Sequence, residues 1–505
     1  MTREQQKRSI CKKAGRRFAL LMCLCLIGTM MPATVKAESG TLNSINLNAG
    51  VLRPASDKWD ETNGNLLYFG TYKGYHQMEQ RDEPAVYRVL SSSPETQTVK
   101  EGVGENSATI DCLLLDCDTG LKTEKRAFDD SSNIWRDSDI RKWLNGENFY
   151  SKPGSETEPA AFSELERNAI AETTLKSAGA YTNAINYGMP WRCEDYHSVD
   201  HIFLLSVKEA CDLYADNAAR KKADYHLSDG NYIGRWWTRS ATTSGGYGDV
   251  AVITADGVAN TEDVNNDDMN ITTPAFNVKL SSILLVSTIR TDKTTELAQV
   301  KNAVTDNQPR HYNRKWKTTL LDSTKTVQIP DRGEIKREDI DGVTKITVPY
   351  KYDGENVTQI SVMITDKDYT QSDAQVLYYG ALKQINSDDP AAKIGRGTFT
   401  LPDNLPKGCK VYILAEDVNG AKETDYAGTP CEVSIPGIPP AEDPDEGTDT
   451  PSADSNSNAN SAGTGDDTNI AWMLIPVLIS GAGIAAVLTV NRRKKRENTC
   501  RDTTV

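Results

Sequence analysis

The chain has 505 residues, enough for two or three domains with separate cores. Its 57 Lys and Arg face 71 Asp and Glu, which gives a formal net charge of -14. Residues 1–37 carry +7 and residues 491–505 carry +4, so the segment between them holds -25. A field of that sign repels polyanions, and we expect no nucleic-acid partner.

The first 37 residues have the pattern of a signal peptide. A basic stretch ends at Arg16 and Arg17, a short apolar core occupies 18–31, and small residues follow just before Glu38. That core is shorter than the ~20 residues that a membrane-spanning helix needs. We therefore expect an exported protein, with residues 38–65 as a polar lead-in.

Residues 66–287 mix strand and helix patterns. Ile140, Trp143 and Leu144 share one face of a helix predicted over 137–150. Short apolar runs predict strands at 66–72, 85–90 and 108–117. Helices in the middle with strands at both ends predict an α+β domain.

Two capping boxes mark further helix starts in the same region. Ser163 is followed by Glu166, and Ser206 by Glu209, each three residues later. In that pattern the serine and the glutamate satisfy each other's backbone N–H groups at the first turn. We expect short helices to begin at Glu164 and Val207.

Two adjacent tryptophans, Trp236 and Trp237, open the end of this domain. A strand over 249–254 follows, and Asp256-Gly257 predicts the next tight turn. Successive strand residues point to opposite faces, so we expect one indole in the core and the other at a surface or groove.

Aromatic side chains beside polar loops suit contacts with sugars or proteins. The candidate ligand-binding residues are Trp236, Trp237, Arg239, Tyr247 and Tyr232. The alternative is that both tryptophans belong mostly to the core. We expect Arg239 to form hydrogen bonds with backbone carbonyls or with an acidic neighbour.

Three motifs carry a resemblance to a family: Trp-Trp-Thr-Arg-Ser at 236–240, Asp-Gly-Val at 256–258 and Pro-Ala-Phe at 274–276. They resemble the ending of an uncharacterised domain family of Gram-positive surface proteins. Further matching motifs extend the resemblance over 66–287, namely those at 68–70, 84–90, 141–145 and 202–206.

The chain departs from the family pattern at Tyr87, where Trp is usual, and at Thr273, where Arg is usual. The second departure removes an expected buried charge partner. The ending is also similar to the C-type-lectin-like fold in its formylglycine-generating-enzyme branch. That resemblance implies a lectin-like α+β domain.

Candidate metal ligands and nucleophiles have simpler interpretations. Cys193, His197 and His201 have helical metal-ligand spacing, but His201 leads into a strand, so we expect no metal. We expect Cys112 and Cys117 to pack in the core. The acidic loop 262–268 departs from the EF-hand pattern and is expected to be solvated, which leaves calcium binding open.

The chain contains no nucleotide-binding loop, nucleophile elbow or His-Glu-x-x-His motif. We therefore expect no enzyme activity and no cofactor.

The second half predicts a connector and a second domain. Residues 288–323 form a polar connector with a short helix over 295–303, and 324–436 carry alternating strands typical of a β-sandwich. The stretch Gly397-Thr-Phe-Thr-Leu-Pro402 resembles bacterial Ig-like surface modules. Cys409 and Cys431 each open a strand, and if these strands are antiparallel we expect both thiols to be reduced.

The C-terminal segments predict a membrane anchor. Residues 437–469 have the composition of a disordered linker, 470–490 lack any charge over 21 residues, and 491–505 form a basic tail. This order predicts a single-pass protein of the bacterial cell membrane with its N-terminal part outside. Cleavage by a sortase at a degenerate Thr464-Gly465 signal is the alternative.

These patterns lead to three hypotheses. The first is a membrane-anchored cell-surface protein that binds an extracellular glycan or protein through 66–287 without catalysis. The second is an enzyme, or an enzyme-derived receptor, working in the lectin-like domain. A deep pocket lined by Trp237, His226 and a carboxylate of raised pKa would favour this second hypothesis. The third is a purely structural envelope protein.

Overall fold

The computed structural model describes part of the chain, in thirteen segments. The described residues are 42–76, 79–92, 97–101, 108–121, 126–153, 160–176, 197–223, 233–242, 248–266, 270–303, 314–331, 333–386 and 393–438. All of them belong to one compact unit that spans Met1–Glu442. The other unit, Asp443–Val505, lies outside the described residues.

Strands dominate the described residues, with 45% in strands and 9% in helices. The described α-helices are α1 Asp139–Asn145, α2 Glu164–Ala169 and α3 Val207–Asp212, and 3₁₀ helices lie at Ala49–Leu52, Trp135–Asp137 and Leu280–Ser282. The strands are β1 Ile45–Asn46, β2 Leu66–His76, β3 Glu79–Leu90, β4 Gln97–Glu101, β5 Ala108–Thr109, β6 Cys112–Cys117, β7 Thr173–Lys176, β8 His197–Asp200, β9 Lys222–Ala223, β10 Ile233–Ala241, β11 Asp249–Ile253, β12 Ala259–Asp263, β13 Asn270–Ile271, β14 Ala275–Lys279, β15 Ile283–Thr288, β16 Ala298–Gln299, β17 Lys315–Leu321, β18 Thr326–Gln328, β19 Lys336–Ile340, β20 Val343–Asp353, β21 Gln359–Thr365, β22 Val376–Gln384, β23 Ile394–Thr400, β24 Lys410–Asp417, β25 Asp425–Ala427 and β26 Cys431–Glu432.

One sheet of 13 described strands runs through both halves of the unit, in the order β14-β6-β3-β2-β17-β25-β24-β21-β22-β16, with β1, β15 and β26 attached. Three smaller sheets accompany it within the described segments. They have the orders β12-β11-β10-β13 with β9 attached, β18-β20-β19 with β23 attached, and β5-β4-β7-β8.

Strand β17 joins the two halves of the large sheet. On one edge it pairs antiparallel with β15; on the other its first residues run parallel to β2 and its last residues parallel to β25. Its residues from Trp316 to Leu320 are buried. A strand paired on both edges and covered on both faces belongs to the interior of a sheet. The segment predicted as a polar connector therefore contains a central strand.

Apolar residues form three clusters that follow this plan. The largest packs the first half around Phe69, Leu114, Trp135 and Phe276. A second fills the space between β20–β23 and β21–β24, with Ile346, Phe399, Val362 and Ile413 among its members. The third joins Ile45 and Leu285 to Met363 and Leu414, so apolar contact is continuous between the halves.

Several local predictions are confirmed. Both capping boxes form, with Ser163 and Glu166 at the start of α2, and Ser206 and Glu209 at the start of α3. The Asp256-Gly257 turn is present, and Gly257 has φ +77° there. A Cβ at that position would lie 1.8 Å from the carbonyl oxygen of Asn217, so the turn requires glycine.

The predicted fold class is wrong. An α+β, C-type-lectin-like domain followed by a transmembrane α-helix does not match a described chain that is mainly β. The physical reason is helix length. The pattern over 137–150 gives only the seven residues of α1, which ends at Asn145, and the two capping boxes start helices of six residues each. In place of the helix predicted over 295–303 lies the exposed strand β16.

Among the described residues, no helix is long and apolar enough to cross a membrane. The predicted signal peptide 1–37, the span 470–490, the basic tail 491–505 and the sortase-like Thr464-Gly465 pair lie outside the described residues. The predicted single-pass membrane localisation is therefore corrected, because no described element supports it.

Candidate functional site

The predicted tryptophan pair lies inside the molecule. Strand β10 pairs antiparallel with β11, with Trp236 opposite Ile253 and Trp237 opposite Val252. The two rings point to opposite faces as expected, but both are 0% exposed. The expectation that one indole would lie at a surface or groove is wrong, because both faces of β10 are covered.

Different segments cover the two rings. The Nε1–H of Trp236 donates to the carbonyl oxygen of Arg220 at 3.1 Å. The Nε1–H of Trp237 donates to that of Arg126 at 2.8 Å, and its ring packs on Phe128 at 5.8 Å between centroids. Each polar edge is therefore satisfied internally, as buried indoles require. Tyr232, Tyr247 and His226 lie outside the described residues.

Arg239 is part of a second buried network. Its guanidinium makes a two-pronged ion pair with Glu209, in which one N–H donates at 2.7 Å, and another N–H donates to the carbonyl oxygen of Leu204 at 2.8 Å. Gln97 donates to the same carboxylate at 3.0 Å and accepts from Asn277 at 2.9 Å. Both expected kinds of partner, a backbone carbonyl and an acidic side chain, are confirmed. The arrangement orients α3 against β10.

Another set of titratable groups lies under Trp236, and all of them are buried except the half-buried Asp118. We call it the Asp116 cluster: Asp116, Lys222, Tyr214, Arg88 and Asp118. The ammonium of Lys222 lies 2.6 Å from the Oδ2 atom of Asp116, and both side chains are 0% exposed. The same ammonium lies 4.4 Å from the centre of the Trp236 ring. The hydroxyl of Tyr214 also donates to Oδ2 of Asp116.

Strand pairing explains how the cluster is assembled. Arg88 on β3 lies opposite Asp116 on β6. Its guanidinium donates to Asp118 at 2.6 Å and to the carbonyl oxygens of Ala219 and Lys221 at 2.7 and 2.8 Å. Those carbonyls hold the segment before β9, and so place Lys222 over the sheet. No motif in the sequence marked this cluster, because its members come from segments far apart in the chain.

Burial dominates the proton affinities in the Asp116 cluster. Loss of solvent lowers the pKa of Lys222, and the neighbouring Asp116 carboxylate opposes that effect only in part. Burial together with the same carboxylate raises the pKa of Tyr214 well above its ordinary range. The cluster thus disfavours added charge on either group.

Several buried polar atoms in or near this cluster have no hydrogen-bond partner among the described residues. They are the Oδ1 atom of Asp116, both side-chain polar atoms of Asn270, and the hydroxyls of Thr272 and Thr273. All four residues are at most 1% exposed. Asn270 lies on β13, the two threonines lie between β13 and β14, and β14 pairs with β6, which carries Asp116. Buried polar atoms are rarely left unpaired, so this region has unused capacity to bind water or a polar ligand.

The other predicted candidates have structural roles in the described segments. Burial raises the pKa of the Cys112 and Cys117 thiols to about 12, which keeps both neutral. Both thiols are free and buried, so the prediction that they pack in the core is confirmed. Cys409 is buried and Cys431 is half-buried, and both are free, which confirms the prediction that this pair is reduced. Antiparallel pairing of β24 with β26 accounts for the latter pair.

No group of metal-binding side chains is present among the described residues. His201 stacks on Tyr150 at 4.5 Å between ring centres, and burial lowers its pKa, while Cys193 lies outside the described residues. In the acidic loop, Glu262 accepts from Arg235 at 2.5 Å and from Asn266 at 3.0 Å. Asp267 and Asp268 lie outside the described residues, so the calcium question stays open.

Among the comparisons with known proteins, only the one with domain families gives a match. No curated protein and no solved structure matches the chain. The expected kinship to an uncharacterised domain family is confirmed in that general form, and nothing in the match indicates a lectin-like or Gram-positive identity. Residues 111–280, which contain β6, β10, β13 and β14, match the model of a domain of unknown function, DUF6273.

Proposed function

We propose that the chain is a binding protein and not an enzyme, and that its region 111–280 binds a hydroxyl-rich, carbohydrate-like ligand. The observation that supports this proposal is the group of unpaired buried polar atoms on Asp116, Asn270, Thr272 and Thr273. A side-chain amide needs both a donor and an acceptor as partners, and a carboxylate oxygen needs a donor. A threonine hydroxyl can pair with either a donor or an acceptor. Sugar hydroxyls supply both functions at once.

The neighbouring charges favour a neutral ligand over an ionic one. Asp116 is already paired with Lys222 and Tyr214 through its other oxygen, so a charged ligand would disturb a balanced pair. A neutral hydroxyl that donates to the Oδ1 atom leaves that pair intact. Binding through several such hydrogen bonds gives specificity, because each unmatched polar atom would remain unsatisfied.

A glycan array with the full chain tests the proposal. We expect a neutral glycan to bind, and Asn270→Ala to weaken its binding about tenfold, the effect of roughly 1.4 kcal/mol. The matched control is Asn260→Ala, an exposed asparagine on β12 of the same sheet, which should leave affinity unchanged. Thermal melting of each variant verifies that the fold is kept.

Two results would contradict the proposal. If no glycan binds the parent chain, the unpaired atoms hold water, and a purely structural protein becomes the better interpretation. If Asn270→Ala binds as the parent does while Asn260→Ala does not, ligand recognition lies on the exposed face of β12.

A further inference from the structure

A further group of buried charges lies where the two halves of the large sheet meet. Lys293 follows β15, Glu416 lies on β24 and Asp425 begins β25. The side chains of all three are 0% exposed. The Lys293 ammonium lies 2.9 Å from Oε1 of Glu416 and 3.1 Å from Oδ2 of Asp425. An amine thus lies in contact with two carboxyl groups, away from water.

The two carboxyl groups have different surroundings. The Oδ1 atom of Asp425 accepts from the Lys317 ammonium at 2.8 Å and from the backbone N–H of Asn419 at 2.7 Å. Those two donors polarise the carboxyl carbon of Asp425 and would hold negative charge that develops on Oδ1. Glu416 instead accepts from the hydroxyl of Ser361 on its Oε2 atom. Asp425 is therefore the better electrophile, and Glu416 is placed to carry a proton.

We propose that Lys293 and Asp425 form an intramolecular isopeptide bond, with Glu416 as the proton carrier. The ammonium of Lys293 first gives a proton through Glu416 to Oδ2 of Asp425, which makes both reacting groups neutral. The Nζ atom then attacks the Cγ atom of Asp425, and the charge on Oδ1 is stabilised by Lys317 and Asn419. A second proton passes from Nζ through Glu416 to Oδ2.

The atoms balance without any other reactant. The Nζ–Cγ bond forms, the Cγ–Oδ2 bond breaks, and Oδ2 leaves as water with the two protons that Nζ has lost. One ammonium and one carboxylate become one amide and one water, and Glu416 ends in its starting state. Proximity and exclusion of water replace the activation that amide formation needs in solution.

The starting protonation state fits this order of steps. Burial disfavours the charged amine, but Glu416, Tyr379 and Asp425 outweigh it and hold the pKa of Lys293 well above its ordinary value. The unreacted amine is therefore an ammonium, and its three hydrogens face Glu416, Asp425 and the hydroxyl of Thr319 at 2.9 Å. A proton acceptor in direct contact is required before attack, and Glu416 is that acceptor.

The bond would join residues 132 positions apart along the chain. It would fasten the segment after β15 to β25, next to the parallel contact of β17 with β25. A covalent link at this place ties the first half of the large sheet to the second.

Peptide mapping of the purified full chain by mass spectrometry tests the proposal. We expect a branched peptide that joins the segments containing Lys293 and Asp425, lighter than their sum by one water molecule. The Lys222–Asp116 pair is the internal control. It is equally buried, and its amine contacts one described carboxylate without a second one beside it. We expect only linear peptides from that pair.

Two variants assign the roles. Glu416→Gln should reduce the branched peptide at least about tenfold, since an amide side chain cannot carry the proton. Lys293→Arg should abolish it while keeping a positive charge. Circular dichroism shows whether each variant is folded, and the parent digest decides the linkage even if a variant is not.

Linear peptides with unmodified Lys293 and Asp425 in the parent digest would refute the bond. A branched peptide that persists in Glu416→Gln, or one that also joins Lys222 to Asp116, would show that contact alone suffices and would refute the role of Glu416.

Discussion

Replacing Trp236 with alanine should destabilise the unit strongly, and the structure gives the scale. The indole is 0% exposed, and truncation of a fully buried tryptophan costs about 3–5 kcal/mol. The change also leaves the carbonyl oxygen of Arg220 without its donor and removes the ring 4.4 Å from the Lys222 ammonium. A lost hydrogen bond contributes about 1 kcal/mol and a desolvated cation–π contact about 2 kcal/mol. We therefore expect the free energy of unfolding to fall by about 5 kcal/mol, the upper end of the range for a buried tryptophan.

Guanidinium unfolding followed by far-ultraviolet circular dichroism measures this loss without relying on tryptophan fluorescence. Trp236→Phe keeps most of the ring but lacks the Nε1–H group, and should cost about 1–2 kcal/mol. Ile394→Ala, at a side chain that is 63% exposed, should stay within about 0.5 kcal/mol of the parent. If Trp236→Ala unfolds at the same midpoint as Ile394→Ala, the ring is not part of the core and the burial assigned to β10 is mistaken.

Two further predictions concern buried titratable groups. Glu209→Gln should lower the free energy of unfolding by about 3–5 kcal/mol, because it leaves the buried Arg239 charge without its carboxylate. The control is Asp139→Ala, in the exposed pair with Lys142, which should leave the midpoint of chemical unfolding unchanged. The Cys117 thiol ionises near 9.0 in the unfolded chain but near 12 in the folded one, so the unfolded chain loses that proton first and stability falls as pH rises from 9.0 towards 12. The free energy of unfolding, measured across that pH range, should fall less steeply with pH in Cys117→Ala than in the parent. An equal slope in the two proteins would contradict the raised pKa of Cys117 in the folded chain.

Local sequence signals predicted local structure well. The capping boxes at Ser163 and Ser206 depend on side-chain and backbone groups three residues apart, so the sequence contains all the information they need. The Asp256-Gly257 turn and the opposite orientation of the two indoles depend on equally short distances. Each of these features is present in the structure.

Features that depend on distant segments were not predictable in the same way. Alternation shows that Trp236 and Trp237 face opposite sides, but it cannot show whether both sides are covered. The covering groups at Arg220 and Arg126 lie 16 and 111 positions away in the chain. The Asp116 cluster has the same origin, since Lys222 is 106 positions from Asp116. Spacing within a single motif cannot reveal such pairs.

Strand β17 lies within the predicted connector 288–323 and pairs with strands from both predicted domains. Its sequence, Lys-Trp-Lys-Thr-Thr-Leu-Leu, has too many polar residues to predict a central strand. Two of those polar groups are nevertheless paired: Lys317 with Asp425, and Thr319 with the ammonium of Lys293. The Thr318 hydroxyl has no hydrogen-bond partner among the described residues. Buried polar side chains that satisfy one another allow a polar segment to occupy a sheet interior.

Hydrogen bonds from the residues around Asp425 connect the proposed ligand-binding region to the second half of the unit. Thr424, next to Asp425, donates to Glu166 at 2.5 Å, and Tyr426 donates to Ser163 at 2.9 Å. Ser163 and Glu166 form the capping box of α2, so the start of that helix is held by a strand from the other half. The residues on either side of Asp425 thus contact α2 through two hydrogen bonds, and β25 is separated from β2 by the single strand β17. The contacts of the 111–280 region therefore extend to β17 and β25, which belong to the same sheet as β6 and β14.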